Sequence, residues 1–272
     1  MKVDDSAPGA LGSYPVTRWD AGELTDVTDR VAEEAPVSFV YNGLAYAVMM
    51  ASPADLEDYA VGFSISEGVV SARDELHRVD ILELDDGILI RIEIPEARTA
   101  AIEVQRRNMA GRTACGLCGA ESIEQVLRHL PRVPSGSSIA HPALQGAFEA
   151  LGRRQSLNAI TGAVHAAAWV SHTGELVLVR EDVGRHNALD KLIGAMLRGG
   201  MSTAEGAALI TSRASFEMAQ KAAMVGIPIL AAISAPTGLA IRLARESGLT
   251  LVGFARNGRH NVYTHPERLH DG

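Results

Sequence analysis

The chain has 272 residues, of which 47% are hydrophobic and 21% charged, and this composition predicts a packed core rather than a disordered protein. A net charge of −8 and an aromatic content of 4% argue against nucleic acid as a partner. The longest apolar stretch is interrupted by Pro228, and the acidic start has no apolar segment typical of a signal peptide. We therefore expect a cytoplasmic protein that makes no membrane contact and whose two cysteines are thiols.

The first half of the sequence predicts a tail followed by a small α+β unit. Residues 1–30 are polar and rich in Gly and Asp, so we expect a flexible tail or an edge segment there. Residues 31–140 are expected to form the α+β unit, which ends in a Cys-x-x-Cys loop. Its predicted elements are a hairpin around Asn42-Gly43, a helix from Ser52-Pro53 to Gly68, a hairpin around Asp86-Gly87, a strand over 101–106 and a helix over 121–130.

Residues 141–272 show a different pattern, in which short apolar strands alternate with helices of about ten residues. The predicted helices span 143–151, 187–197, 214–224 and 239–247, and the predicted strands span 162–170, 176–180, 207–211, 229–233 and 249–254. This order predicts an α/β domain with a sheet that is largely parallel in its second half.

Charge is distributed unevenly between the two halves. Residues 1–100 carry 20 acidic and 7 basic side chains, a net charge of −13, whereas the remaining 172 residues carry 13 acidic and 18 basic side chains, a net charge of +5. An anionic ligand is therefore expected to bind the C-terminal part.

Both cysteines lie in the motif Cys115-Gly116-Leu117-Cys118, which has three competing interpretations. A structural zinc site requires four ligands, and the second pair is missing. A thioredoxin-like redox pair has the form Cys-Gly-x-Cys, but that motif normally opens a long helix after a central strand and carries Pro rather than Leu. Sulfur transfer requires a thiolate that accepts sulfur from a persulfide, and nearby positive charge favours the thiolate. The nearby basic residues are Arg106, Arg107 and Arg112. Spacing alone does not choose between redox chemistry and sulfur transfer.

Three segments of the C-terminal part follow predicted strands and could bind an anionic ligand at one edge of the sheet. They are Thr211-Ser212-Arg213, Ser234-Ala235-Pro236-Thr237-Gly238, and Phe254 with the basic turn that follows it. Each alone also has a simpler interpretation, as a helix cap or a solvated turn. His165 and His186 lie in the same half. His186, at the start of a predicted helix, is a candidate for ligand contact, but we assign it no role in proton transfer.

The order of elements is also that of zinc-dependent nucleoside deaminases. Those enzymes need a His-x-Glu motif and a Pro-Cys-x-x-Cys motif at successive helix starts. The corresponding positions here are His186-Asn187-Ala188 and residues 213–218, which lack the glutamate and both cysteines. Deamination is excluded on chemical grounds, although the fold could be shared.

Over residues 37–264 the sequence resembles the formate dehydrogenase accessory sulfurtransferases. The blocks that carry the resemblance are Ala114-Cys115-Gly116-Leu117-Cys118-Gly119, residues 161–167, residues 180–191 around His186, Thr211-Ser212-Arg213 and residues 253–259. The block around His186 is the most specific of them, whereas the cysteine pair alone would be weak evidence for the family.

The resemblance implies that Cys115 bears a persulfide and that Cys118 assists. It implies that sulfur passes from a cysteine desulfurase to Mo-bis(molybdopterin guanine dinucleotide), bound as cargo, before this cofactor enters formate dehydrogenase. It also implies a homodimer and a cytidine-deaminase-like, three-layer C-terminal domain. The implied cofactor-binding residues are Phe254, Ala255, Arg256, Asn257, Gly258 and Arg259, to which the strand-end pattern adds Arg213. A cofactor chaperone without sulfur chemistry remains an alternative, and a Cys115→Ala variant would distinguish the two.

Overall fold

The computed structural model describes residues 9–100, 102 and 130–272. In the N-terminal unit, a four-stranded sheet with the strand order β4-β3-β6-β5 packs against one helix, α1. The elements are β3 (Ala35–Tyr41), β4 (Leu44–Ala51), α1 (Leu56–Ser66), β5 (Arg78–Leu84) and β6 (Gly87–Glu93). Both predicted hairpins are confirmed; at the first turn, Asn42 and Gly43 have φ values of 47° and 82°, as a two-residue hairpin turn requires.

The helix α1 begins later than the sequence predicted. Ser52 was expected to cap it, but Asp55 occupies the cap position. The reason is a contact distant in sequence: the backbone N–H of Ser52 donates to Asp182 at 3.0 Å, and its hydroxyl accepts from the backbone N–H of Val183 at 3.1 Å. The backbone N–H and the hydroxyl of Ser52 therefore both attach the chain to the C-terminal unit.

Residues 11–32 form a hairpin of β1 (Leu11–Asp20) and β2 (Glu23–Ala32). The prediction of a flexible tail is wrong for these residues. The turn uses Ala21 and Gly22, with φ values of 48° and 99°, and the strands pair over their whole length. Most of the side chains are exposed, so the sequence lacks the apolar alternation by which a half-buried strand is recognised.

The C-terminal unit is built on a six-stranded sheet with the order β13-β12-β11-β10-β8-β9, in which β10, β11 and β12 are parallel. Its strands are β8 (His165–Ser171), β9 (Leu176–Asp182), β10 (Gly206–Ile210), β11 (Ile229–Ala232), β12 (Thr250–Arg256) and β13 (Arg259–Thr264). Its helices are α2 (His141–Arg154), α3 (Ser156–Thr161), α4 (Arg185–Arg198), α5 (Phe216–Met224) and α6 (Gly238–Ser247). Two short strands, β7 (Ile139–Ala140) and β14 (Leu269–His270), pair beside it.

Helices cover both faces of this sheet. Alternate residues of β10 face opposite sides: Ala208 and Ile210 pack with α4, α5 and α6, whereas Ala207 and Leu209 pack with α2. Because both faces are buried, the strands are continuously apolar, as in other parallel sheets. The predicted α/β class and three-layer arrangement are confirmed, while the likeness to cytidine deaminases stays a prediction.

At its end the sheet extends further than the sequence predicted. Strand β12 was expected to end at residue 254 and to run into a basic turn around Asn257-Gly258. Instead it continues to Arg256 through an irregularity at Phe254, whose φ is 54°, and pairs with β13. The predicted strand over 101–106 and helix over 121–130 lie outside the described residues, apart from residues 102 and 130. At these two positions the predictions are wrong, because residue 102 is helical and residue 130 is not. None of the described helices is long and apolar enough to span a membrane.

The two units meet where α1 packs along α4. Asp58 of α1 accepts hydrogen bonds from Arg180 at 2.8 Å and from Arg198 at 2.5 Å. Deeper in the interface, Ser66 donates to Asp190 at 2.6 Å, and Asp190 is ion-paired with Lys221 of α5 at 2.9 Å. These buried polar contacts fix the position of α4, and hence of the residues at its first turn, relative to the N-terminal unit.

Candidate functional site

The carboxyl ends of β10, β11 and β12 lie side by side at one edge of the C-terminal sheet. The loops that follow stay in register, because Ile233 N donates to Ile210 O at 3.0 Å and Phe254 N donates to Ser234 O at 3.1 Å. Since β8 runs antiparallel to β10, its first residue, His165, lies at the same edge. Helices α4, α5 and α6 all begin there. In parallel sheets this is the edge at which ligands bind.

The first loop, Thr211-Ser212-Arg213, is held against the start of β8. Thr211 Oγ1 accepts from the backbone N–H of Ala166 at 2.9 Å. Arg213 does not open a helix, as its position had predicted, because α5 begins at Phe216. The Arg213 side chain is exposed and forms no ion pair with another described residue, so it is free to contact an anion.

The second loop is used for ordinary helix capping. The hydroxyl of Thr237 accepts from Ala240 N at 3.3 Å and caps α6. The loop is joined to the first one by backbone bonds, from Ala214 N to Ala235 O and from Thr237 N to Ala214 O. The structure thus brings the two predicted loops together, but it gives the threonine a structural role.

The third segment, Phe254–Arg259, forms the tip of the β12–β13 hairpin. Asn257 and Gly258 make the turn, with φ values of 54° and 70°, and Arg256 and Arg259 face each other across it. Both arginines are exposed, and neither forms an ion pair within the described part of the chain. Like charges directly opposite one another on two strands are destabilising unless an anion binds between them. This is an arrangement suited to binding phosphate or carboxylate.

Beside this turn a groove of about 720 Å³ separates β13 from the first turns of α2. His141 and His260 stack in it, with His141 Nδ1 and His260 Nε2 2.8 Å apart, and Gln145 Nε2 lies 2.6 Å from His260 Nδ1. Burial, together with the neighbouring His141, lowers the pKa of His260. The three side chains fasten the hairpin base to α2, so the two arginines project from an anchored turn.

The start of α4 brings two more candidates to the edge. His186, in its first turn, lies 3.9 Å from Glu217 of α5, measured between Nε2 and Oε2. Burial and the neighbouring Arg185 and Lys221 charges lower the pKa of His186 to about 4. The pKa of His165 is also lowered, by burial and by Arg185. Both histidines are therefore neutral at neutral pH, because burial and the nearby positive charges outweigh the carboxylates of Glu217 and Asp182.

The predicted sulfur-carrying residues, Cys115 and Cys118, lie outside the described residues. The described chain stops at Ile102, which is buried in the core of the N-terminal unit, and resumes at Leu130, which packs against the core of the C-terminal unit.

Sequence reasoning missed the buried pair of Asp190 and Lys221, which lies one helical turn below His186 and Glu217 along α4 and α5. The available signal was the spacing of four residues within each helix, between His186 and Asp190 in α4 and between Glu217 and Lys221 in α5. A charged pair at that spacing predicts a helix surface equally well, so the sequence alone could not place it in the interior.

Comparisons with known proteins agree with this architecture. A model of the FdhD/NarQ family matches residues 32–270. The chain is 51% identical over 265 residues to the sulfur carrier protein FdhD of Cupriavidus necator, covering 97% of this chain and 92% of that protein. It is 55% identical over 254 residues to the protein of the same name from Xanthomonas euvesicatoria pv. vesicatoria, covering 93% and 90% of the two chains.

A solved structure is also similar throughout. The crystal structure of a protein from Desulfotalea psychrophila, described as a formate dehydrogenase accessory protein, superposes with a TM-score of 0.77 at 26% sequence identity. The match covers 96% of this chain and 100% of that one. With a family model that spans most of the sequence and relatives more than half identical to it, the chain belongs to the FdhD/NarQ family.

Proposed function

We propose that this chain is a sulfur carrier that receives sulfur from a cysteine desulfurase and passes it to the molybdenum cofactor destined for formate dehydrogenase. The observation that carries the proposal is the similarity, over more than nine-tenths of the chain, to proteins named sulfur carrier protein FdhD. The cluster of basic residues at the carboxyl edge supports it, because the cofactor is a polyanion.

In the proposed reaction, the Cys115 thiolate attacks the outer sulfur of a persulfide on the desulfurase. An S–S bond forms at Cys115 while the donor's S–S bond breaks, and the donor cysteine leaves as a thiolate. The thiolate of Cys118 then attacks Cys115 Sγ, which forms a Cys115–Cys118 disulfide and releases the outer sulfur as sulfide to the cofactor. The two thiols supply the two electrons that the sulfide gains, and a cytoplasmic thiol reductant restores them.

The proposed cargo is Mo-bis(molybdopterin guanine dinucleotide). Arg256 and Arg259 are proposed to hold one of its phosphate groups from the β12–β13 turn, and Arg213 to contact it from the neighbouring loop. The support is that all three guanidinium groups are exposed at one sheet edge and lack ion pairs with other described residues. By the family resemblance, we also propose that the protein is a homodimer and acts in the cytoplasm.

The test is intact-mass measurement after incubation with a cysteine desulfurase and cysteine. We expect the chain to gain one sulfur atom, about 32 Da, that a thiol reductant removes. Cys115→Ala should gain none, whereas Cys118→Ala, the matched control, should gain the sulfur and retain it. An adduct of the same size on Cys115→Ala would disprove the assignment of Cys115, and no adduct on any form would disprove sulfur carriage.

A further inference from the structure

Two helix N-termini, those of α4 and α5, meet at the carboxyl edge without a side-chain cap. Helix α4 has 14 residues with Gly184 at its N-cap, and α5 has 9 residues with Ser215 at its N-cap; neither cap residue makes a side-chain hydrogen bond to its helix. The second residues of the two helices, His186 and Glu217, lie 3.9 Å apart, so the two N-termini are adjacent. Free N–H groups at a helix start attract anions.

The same place contains buried polar atoms without partners. Four buried side-chain atoms in the described residues lack a hydrogen-bond partner, and three of them are Arg185 Nε, His186 Nε2 and Ser215 Oγ. Ser215 is only 9% exposed, although serine at an N-cap normally bonds to the first turn. Buried polar groups are almost always hydrogen-bonded in folded proteins. Three such atoms at adjacent helix starts indicate that a ligand completes the site.

The charges around these atoms indicate the sign of the ligand. Arg185 forms no ion pair with any residue that the structure describes. The nearby carboxylate of Asp182 is already occupied, by Lys191 at 2.6 Å and by the N–H of Gly184 at 2.7 Å. Two other carboxylates, Glu217 and Glu67, act on His186, and Glu67 is ion-paired with Lys221 at 2.7 Å. An uncompensated guanidinium beside two helix N-termini favours an anion.

We propose that the first turns of α4 and α5 bind a phosphate or diphosphate group, with Arg185, Ser215 and the free backbone N–H groups as donors. His186 closes the site and can donate from Nε2 when its tautomer places the proton there. The donors come from two adjacent helices, so an anion with several acceptor oxygens, such as phosphate, can accept from both. Within the described residues, no group of three His, Cys, Asp or Glu side chains could hold a metal here instead.

This phosphate site adds to the proposed function. It rests on that proposal only for the identity of the molecule that carries the phosphate. The cargo has two diphosphate groups, and the site is separate from the Arg256–Arg259 turn. One diphosphate at each place would account for both sets of unpaired donors at this edge. The binding of phosphate itself does not depend on sulfur chemistry.

The experiment is isothermal titration in phosphate-free buffer with inorganic pyrophosphate, inorganic phosphate, GDP and guanosine. We expect pyrophosphate and GDP to bind and guanosine not to bind. If GDP binds more tightly than pyrophosphate, the natural ligand is a nucleotide; if the two bind equally, it is the free anion. Because the Arg256–Arg259 turn is proposed to hold a second diphosphate, we expect two binding events per chain. Arg185→Gln should weaken one of them at least tenfold and Ser215→Ala should weaken the same one severalfold, since hydrogen bonds to charged groups are stronger than neutral ones. Arg245→Gln, an exposed arginine at the opposite end of α6, is the matched control and should leave affinity unchanged.

Lack of pyrophosphate binding by the wild-type chain, or wild-type affinity for every binding event in both site variants, would overturn the proposal. If Arg185→Gln fails to fold, as its melting curve would show, the smaller Ser215→Ala change decides the question. Persulfide formation on the same preparations separates the two proposals. If Arg185→Gln takes up sulfur and still binds pyrophosphate normally, only the phosphate site is refuted. Cys115→Ala should lose sulfur uptake but bind pyrophosphate as the wild type does.

Discussion

Gly62 of α1 and Gly194 of α4 lie against each other where the two units meet. A Cβ on Gly62 would lie 2.7 Å from the backbone nitrogen of Gly194, and a Cβ on Gly194 would lie 2.9 Å from that of Gly62. In both cases the nearest atoms are backbone, which cannot move aside as a flexible side chain does. The helices therefore approach as closely as they do only because both residues are glycine.

We expect Gly62→Ala to lower the free energy of unfolding by about 3 kcal/mol or more, because the methyl group would force the two helices apart. Urea denaturation measures the change. Gly146→Ala is the matched control, since Gly146 is also helical and has nothing within 4 Å of its Cβ position. That variant should be neutral or stabilised by up to about 1 kcal/mol. Equal stability of the two variants would show that α1 and α4 are not in close contact.

Removal of the buried Lys221 charge gives a second prediction. Lys221 Nζ contacts both oxygens of Asp190, at 3.0 and 2.9 Å. Although burial opposes it, the neighbouring Asp190 and Glu67 carboxylates hold the pKa of Lys221 above its ordinary value. Lys221→Met should cost about 3–5 kcal/mol of stability, because Asp190 would be left buried without its counter-charge.

A double-mutant cycle provides the control for that prediction. Asp190→Asn combined with Lys221→Met removes both charges, so the double variant should be more stable than the sum of the single changes predicts, by at least about 1 kcal/mol. Urea denaturation of the four proteins gives the coupling energy. Strict additivity would mean that the two side chains do not interact in solution.

Features set by neighbouring residues in the chain were predictable from the sequence. The Asn42-Gly43 turn, the alternation of strands and helices in the second half, and the helix that begins near His186 all depend on local turn, cap and apolar patterns. The loop at Arg213 was placed at the correct sheet edge because the ends of parallel strands share an edge.

Features set by distant contacts were not predictable. Ser52 has the local pattern of an N-cap, yet Asp182 and Val183 compete for its polar groups. Ser215 is the opposite case, because it occupies an N-cap position but makes no capping bond. A single sequence does not show which serine bonds locally and which does not, since that depends on what tertiary structure places beside it.

The lowered pKa of His186 predicts how stability depends on pH. The pKa of His186 is about 4 in the folded protein and has its ordinary value of 6.5 in the unfolded chain. As the pH falls, the unfolded chain therefore binds the proton first. The stabilisation by neutral His186 is complete above pH 6.5 and is lost towards pH 4. The free energy of unfolding lost in this way is at most about 3 kcal/mol, because each unit of pKa shift corresponds to about 1.36 kcal/mol.

Thermal melts between pH 7.5 and pH 4 on the wild type and His186→Gln measure this contribution by difference. We expect the wild type to lose stability relative to the variant as the pH decreases. Burial raises the pKa of Asp190 to about 6, which acts in the opposite direction, but that effect is present in both proteins and cancels in the difference. His172→Gln, a change at an exposed histidine, is the control. A difference that does not vary with pH would contradict the burial of His186 as a neutral group.

The two arginines at the β12–β13 turn give a prediction in which stability and binding change in opposite directions. Because Arg256 and Arg259 are cross-strand neighbours of like charge, Arg256→Gln should leave the free energy of unfolding unchanged or raise it by a few tenths of a kcal/mol. The same change should weaken GDP binding about tenfold, because it removes a charged donor from the proposed phosphate contact. Arg153→Gln, at an exposed position near the end of α2, should alter neither quantity. A residue retained only for folding would lose stability on substitution, so loss of binding without loss of stability is what distinguishes a ligand contact from a structural one.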